Sequence, residues 1–304
     1  MSGGVAADRP YVDRPVPDRE AAETVAERWA SRWALPAPRL LRHGMNSLYV
    51  CGDVVLRVGA TTAPAAASHE LVRRLLDAGV PTIRPVDGLA ADDDAGVAVT
   101  GWEFVRQTRQ AVDWVAVGAA VRLVHSLPAD SLPAGYPTPS PAVFPWWQFD
   151  DMLADTRHEI DDAAYDGLSA AVERCAGWRE AIADGAVLCH GDVHPGNVLT
   201  SGPGTLLVDW DLMSVANPAW DHAMLTTYAT RWGGDDGVYE RFAEGYGRSL
   251  ADDGLTRCLA ELRNVAATLM RVRAGRTDDA ARAEATRRLM YWRDDPDAPV
   301  WRAQ

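Results

Sequence analysis

The sequence predicts an α+β protein of two lobes, a small β-rich N-terminal lobe and a larger helical C-terminal lobe. Three observations carry this expectation. Short β-rich runs with turn signals fill much of the first third, helical periodicity dominates later, and the character changes between Gly101 and Arg106. The chain has 304 residues, 47% hydrophobic and 24% charged, so it can bury a large core.

The elements follow in order. Residues 1–17, rich in Gly, Ala, Asp and Pro, are expected to be a poorly ordered tail. Residues 18–34 repeat Ala21, Val25, Trp29 and Trp33 on one helical face. From Leu48 to Val58, two β-rich runs flank Gly52-Asp53, the signature of a tight hairpin. Residues 67–78 predict a helix, ended by Gly79 with Pro81 beyond it. Strands are expected at 83–87 and 96–100, with an acidic turn at Asp92-Asp93-Asp94 between them. A helix is expected over 113–126, then an irregular Pro/Ser-dense segment over 127–145. Helical patterns return at 147–183 and dominate from 217 onward.

Charge narrows the function classes. A net charge of −13 argues against nucleic acid or an anionic membrane surface as a partner, and suits a cationic small molecule. No apolar run is long enough to span a membrane, and the N-terminus lacks the pattern of a secretion signal. Cys51, Cys175, Cys189 and Cys258 show no metal-ligand spacing and no close pairing in sequence. They are expected to be reduced thiols of a cytoplasmic protein. The chain contains no lysine, so any side chain gripping phosphate with a fixed charge must be an arginine.

One stretch names a reaction. Residues 188–199 read Leu-Cys-His-Gly-Asp-Val-His-Pro-Gly-Asn-Val-Leu, and after a Gly/Pro/Ser turn comes Leu-Leu-Val-Asp-Trp-Asp. Asp192 stands five residues before Asn197, and Asp209 ends an apolar run. Phosphoryl transfer needs such a set: one Asp to receive a hydroxyl proton, an Asn and a second Asp to hold metal ions on nucleotide phosphates. The flanking runs 197–199 and 206–208 predict a hairpin that returns Asp209 to Asn197. Magnesium, which prefers oxygen ligands, is the implied ion.

His190-Gly191-Asp192-Val193-His194-Pro195-Gly196-Asn197 with Val208-Asp209-Trp210-Asp211 resembles the signature of the aminoglycoside phosphotransferase family. These are small-molecule kinases of the protein-kinase-like fold, and choline and macrolide kinases belong to the same branch. The resemblance runs from about residue 20 to the C-terminus. It implies a nucleotide-binding lobe over 18–101, a hinge over 102–106, and a catalytic and substrate-binding lobe over 107–304. It further implies ATP, with GTP as an open alternative, and magnesium.

Carried over residue by residue, the resemblance assigns Asp192 as the catalytic residue and Asn197 and Asp209 as metal ligands. Asn46 and Ser47, in His43-Gly44-Met45-Asn46-Ser47, take the phosphate-covering position, which departs from the glycine-rich loop of protein kinases. Arg57 takes the place of the strand lysine, its fork able to bridge phosphate oxygens. Glu70 is expected to orient Arg57 by ion pairing, the alternative being a local pair with Arg74. Trp102 and Phe104 at the hinge either line the adenine pocket or belong to the core. His190 and His194 are expected to position the loop, and Asp221 to brace it. Asp211 either touches metal or substrate or caps the following turn. Trp146-Trp147 either form an aromatic wall for substrate or pack inside.

The reaction expected is ATP-dependent phosphorylation of a hydroxyl on a small, cationic antibiotic, an aminoglycoside or a tuberactinomycin-type cyclic peptide, giving resistance or self-protection. A metabolic or macrolide kinase of the same fold is the alternative reading, and a catalytically dead nucleotide-binding module a third. Oligomeric state stays open.

Overall fold

A computed structural model describes residues 19–93, 96–128, 131–202 and 204–302. The expected tail at 1–17 lies outside them. Helix α1 (Arg19–Arg32) precedes a five-stranded antiparallel sheet of β1 (Arg39–His43), β2 (Ser47–Cys51), β3 (Val54–Ala60), β4 (Pro85–Asp93) and β5 (Val97–Glu103). The strand order is β1-β2-β3-β5-β4, and α2 (Ala65–Asp77) is inserted between β3 and β4. Cys51 pairs with Val54, which leaves Gly52-Asp53 as the two-residue turn that the sequence predicts. Gly52 sits at φ +67°, a conformation that suits glycine.

Strand alternation decides which side chains face the site. Tyr49, Leu56, Val58, Val97 and Val99 lie on one face and pack under Ala22, Val25, Ala26 and Ala30 of α1. Their neighbours in sequence must then point the other way. Arg57 stands opposite Thr100 on that second face, and Val55 opposite Trp102. This face meets α2, where Leu71, Val72 and Leu75 share a buried cluster with Trp102 and with residues of the helical part.

The rest of the chain is mostly helical. Helix α3 (Trp114–His125) starts at Asp113, whose side chain accepts from the Ala116 N–H at 3.0 Å, a standard N-cap. Helices α4 (Phe149–Thr156), α5 (Asp162–Arg174) and α6 (Trp178–Ala181) follow. Two small antiparallel pairs come next: β6 (Val187–Cys189) with β9 (Ser214–Ala216), and β7 (Val198–Ser201) with β8 (Gly204–Leu207). Helices α7 (Ala219–Thr226), α8 (Tyr228–Trp232), α9 (Val238–Tyr246), α10 (Gly254–Ala274) and α11 (Asp279–Trp292) complete it. No helix among the described residues is long and apolar enough to cross a membrane.

The second core is aromatic, and it settles Trp146 and Trp147. They are 8% and 1% exposed. The Trp147 ring meets Trp220 at 4.6 Å and Trp178 at 5.0 Å, both edge-on, while Trp146 stacks on Phe144 at 4.7 Å. These rings are packing under α7 and α10, not a wall open to substrate. The fold also brings Cys175, at the end of α5, beside Cys258 of α10: each sulfur contacts the other residue's carbonyl oxygen, at 3.5 and 3.8 Å. Both are free thiols.

Candidate active site

The catalytic segment is a loop tied at both ends. β6 and β9 pair with Cys189 opposite Ser214, closing the base of residues 190–213. Within it, β7 and β8 form the predicted hairpin, with Val198 opposite Leu207 and the Val208 N–H donating to the Asn197 carbonyl at 2.9 Å. Asp209 therefore emerges one residue beyond the bond to Asn197. Its backbone is left-handed, φ +67°, a conformation unusual for a side chain other than glycine and common among strained site residues.

Asp192 and Asn197 touch directly. The Asn197 Nδ2 donates to the Asp192 carbonyl oxygen at 2.9 Å and to its Oδ2 at 3.0 Å. That commits the amide nitrogen and leaves Oδ1, the atom a hard cation takes. His194 Nε2 lies 3.3 Å from Asp192 Oδ2, while its Nδ1 accepts from the Gly196 N–H at 3.1 Å. Burial alone would raise the Asp192 carboxyl. The interaction and hydrogen bond with His194 and the charge of Arg263 outweigh it and hold the group down at about 2. Asp192 is thus a carboxylate throughout the physiological range.

His190 is wholly buried and neutral, burial having lowered its pKa. Its Nε2 lies 3.0 Å from the Val208 carbonyl oxygen, and its Nδ1 accepts from the Asp192 N–H at 3.2 Å. With Nδ1 accepting, Nε2 must be the protonated nitrogen. Both histidines thereby hold the loop. Asp221 of α7 accepts from the His190 N–H and the Gly191 N–H, each at 2.8 Å, and meets His125 Nε2 at 3.0 Å. Burial opposes its ionisation, but the His125 hydrogen bond and charge and the Gly191 N–H hold its pKa below the ordinary value. His125, Cys189 and Asp221 could approach a single ion, their ligand atoms lying within 4.8 Å of one another. Both Asp221 oxygens already serve the loop, however, and the group acts as a brace.

Gly191 is required here. It sits at φ +91°, and a Cβ would run into the Leu212 carbonyl oxygen. Gly191→Ala is expected to destabilise the fold by about 1–3 kcal/mol from the backbone alone, with further loss from the clash. Thermal unfolding measures it, and an unchanged melting temperature would show the loop to be more yielding than this geometry.

Arg57 reaches across from β3 to Asp211, with which it forms an ion pair. Here the structure departs from the sequence reading. Glu70 is turned away, accepting from Arg74 Nε at 2.9 Å and lying 4.0 Å from Arg73 on the exposed side of α2. The helix phase explains it: α2 buries His69, Leu71, Val72 and Leu75, which leaves Glu70 facing its own i+3 and i+4 arginines. The acid that meets Arg57 is Asp211. Burial and the neighbouring Asp209 carboxylate push Asp211 up to about 6, against the pull of Arg57 and a hydrogen bond from Asn46. Such crowding of carboxylates is what a divalent cation relieves, and Asn197, Asp209 and Asp211 supply only oxygen ligands. The chemistry of this set fits magnesium.

Asn46, in the β1–β2 connection, lies over Gly59, where any Cβ would collide with its Oδ1. Glycine at 59 is what lets the loop approach β3. Ser47 is fully buried, its hydroxyl 2.8 Å from His43 Nδ1, so it offers backbone rather than side chain. Trp102 is 9% exposed, its Nε1 donating to Thr100 Oγ1 at 2.9 Å and its ring meeting His69 at 4.9 Å. Its ring therefore packs against α2, which favours the core alternative. Phe104 is half-buried, and its N–H donates to the Asp53 carbonyl at 2.9 Å.

Two groups near the loop give no signal in sequence. Tyr136, from the Pro-rich segment, donates its hydroxyl to the Trp210 carbonyl at 2.9 Å. Burial and the Asp211 charge raise its pKa and keep it a donor. Arg263 of α10 donates from Nη2 to the Gly191 carbonyl at 2.9 Å and the Trp220 carbonyl at 3.1 Å.

Comparison with solved structures finds the same architecture in several phosphotransferases. The GDP and kanamycin complex of APH(2")-IIIa matches with a TM-score of 0.68 at 15% identity, covering 90% of this chain and 98% of that one. Spectinomycin phosphotransferase in complex with ADP and spectinomycin matches at 0.63 and 16%, covering 86% and 90%. The macrolide 2'-phosphotransferase MphH of Brachybacterium faecium matches at 0.54 and 21%, covering 87% and 97%. At such identities the likeness establishes the fold, protein-kinase-like as the sequence predicts. A comparison with curated proteins finds no match. Residues 49–262 match the profile described as the phosphotransferase enzyme family, a span that holds Arg57 and the whole catalytic loop and ends one residue before Arg263. This chain belongs to that family.

Proposed function

We propose that the protein transfers the γ-phosphoryl group of ATP to a hydroxyl of a small cationic antibiotic. The observation that carries the reading is the constellation of Asp192, Asn197 and Asp209 on one tied loop, with Arg57 reaching into it from the sheet. In this reading residues 18–101 form the nucleotide lobe, 102–106 the hinge and 107–304 the catalytic lobe. Asp192 orients the acceptor hydroxyl and takes its proton late, since a loose transition state asks little of the base. Arg57 and the backbone around Asn46 and Ser47 steady the phosphates. Asn197 and Asp209, with Asp211 beside them, would hold magnesium, which neutralises the charge of the transferring group when bound.

The acceptor class rests on two supports. The net charge of −13 favours a cation. Structures of the same fold are complexes with kanamycin and spectinomycin. Those complexes contain GDP and ADP respectively, which supports a nucleotide in the cleft and leaves GTP a competitor to ATP. A phosphorylated antibiotic would be inactive, so the role is resistance or self-protection. Four free cysteines suit the cytoplasm, where nucleoside triphosphates are made.

The test is ADP or GDP release from the magnesium nucleotides against a panel of aminoglycosides, tuberactinomycin-type peptides, macrolides, choline and simple sugars. Turnover with basic antibiotics, abolished by EDTA and by Asp209→Asn, is expected. Turnover with choline, a sugar or a macrolide alone would replace the acceptor class while keeping the reaction. Absence of magnesium-dependent nucleotide binding would remove both.

A further inference from the structure

We infer that Arg263 is a positioning residue of the catalytic loop: its guanidinium holds the carbonyl of Gly191, and so sets the direction in which Asp192 points. The inference rests on the phosphotransferase reading of that loop.

Gly191 immediately precedes Asp192 and is the most freely rotating kind of residue, here at φ +91°. Left to itself it would not fix the next side chain. The structure immobilises it from both sides. Its N–H donates to Asp221 Oδ1 at 2.8 Å, and its carbonyl accepts from Arg263 Nη2 at 2.9 Å. The peptide whose oxygen Arg263 holds is the one whose nitrogen belongs to Asp192. That nitrogen donates to His190 Nδ1 at 3.2 Å. Removing Arg263 frees the oxygen of that peptide and lets the plane rotate.

Arg263 is itself fixed. Its guanidinium carbon lies 3.9 Å from the centre of the Trp220 ring, and Nη2 shares its donation with the Trp220 carbonyl at 3.1 Å. Trp220 is 1% exposed and packed on Trp147 and Phe144. The cation thus ties the loop to the rigid aromatic core through a planar group. A lysine lacks the plane that stacks on Trp220 and so the fixed orientation that aims one nitrogen at both carbonyls. Among the described residues the buried Arg263 Nε has no hydrogen-bond partner, so some binding potential is given up to keep the group in this orientation. Asp221 takes the loop's N–H groups and Arg263 its carbonyl. The two complement one another, and neither touches a reacting atom.

The test compares Arg263→Lys and Arg263→Gln with the wild type, all full-length. Three quantities are read: magnesium-ATP affinity by calorimetry, steady-state ADP release with kanamycin and with water as acceptors, and amide exchange of residues 190–192 without nucleotide. A mispositioned carboxylate predicts a kcat loss of about 10²-fold. Nucleotide affinity should stay within about twofold, because the loss falls on the chemical step. Exchange of the loop amides should rise by about tenfold or more as the local opening becomes easier. Arg263→Lys should share these losses despite keeping the charge. Unchanged exchange in both variants overturns the inference, as does a lowered melting temperature with kcat intact. If the wild type turns over no acceptor, the phosphotransferase reading fails separately, and the exchange data still decide whether Arg263 fixes the loop.

Discussion

Replacing Asp192 by Ala is expected to lower phosphoryl transfer by about 10²–10⁴-fold, the range for removing a positioned general base. Magnesium-nucleotide binding should survive, because in the proposed reaction Asp192 serves the acceptor while Arg57, Asn197 and Asp209 serve the nucleotide. The carboxylate is held by Asn197 Nδ2 at 3.0 Å and faces His194 Nε2 at 3.3 Å. Held down at about 2 it is a weak base, and in the proposed reaction it serves chiefly to aim the hydroxyl. Asp192→Asn keeps the shape but loses the charge and replaces one acceptor oxygen by an NH2 donor, and should fall almost as far. A kcat loss with nucleotide affinity unchanged checks the account, and full turnover in either variant would refute it.

The second large effect is on stability. Asp221→Ala is expected to cost about 3–5 kcal/mol, the range for removing one partner of a buried charged network. Asp221 is 1% exposed and accepts from two backbone N–H groups at 2.8 Å each, with His125 at 3.0 Å. Its loss leaves both N–H groups buried without acceptors. A pH dependence follows from the same geometry. The folded pKa lies below that of the unfolded chain, about 3.9 for Asp. The contribution is therefore complete above that value and lost as pH falls through the folded pKa. Acid unfolding of the wild type should draw on this term, and the variant's stability should vary less with pH below about 4. Chemical unfolding as a function of pH measures both. Equal stabilities at neutral pH would show that the brace contributes little.

Part of this site is legible in the sequence alone. The spacing of Asp192 and Asn197 is a local fact, and a short hairpin returning Asp209 follows from two apolar runs around a turn. Arg57 is singled out by the family resemblance rather than by its own surroundings, and the sheet places it on the face opposite Leu56 and Val58. Glu70 does not resolve in the same way. Its own helix offers Arg73 and Arg74 within one turn, and nothing local says that Asp211 reaches Arg57 from 154 residues away. Arg263 and His125 are hidden for a similar reason. They meet the loop and its brace across 72 and 96 residues of chain. An isolated Arg on a long helix and a His at a helix end carry no periodic signal. β1 gives no strand signal because its exposed edge residues, Arg39 to His43, show no buried alternation. Trp102, Trp146 and Trp147 show the converse limit, since an aromatic pair reads alike in a core and in a pocket.

The fate of the phosphoryl group itself tests the proposed reaction most directly. Wild-type enzyme would be incubated with ATP carrying ¹⁸O in the γ-phosphoryl group, magnesium and a basic antibiotic, and the products resolved by mass spectrometry. One labelled phosphate ester per ADP released is expected on the antibiotic, formed about 10²-fold or more slowly by Asp192→Asn. ADP formed with the label only in free phosphate, or an ester formed equally by the Asp192 variant, would contradict it.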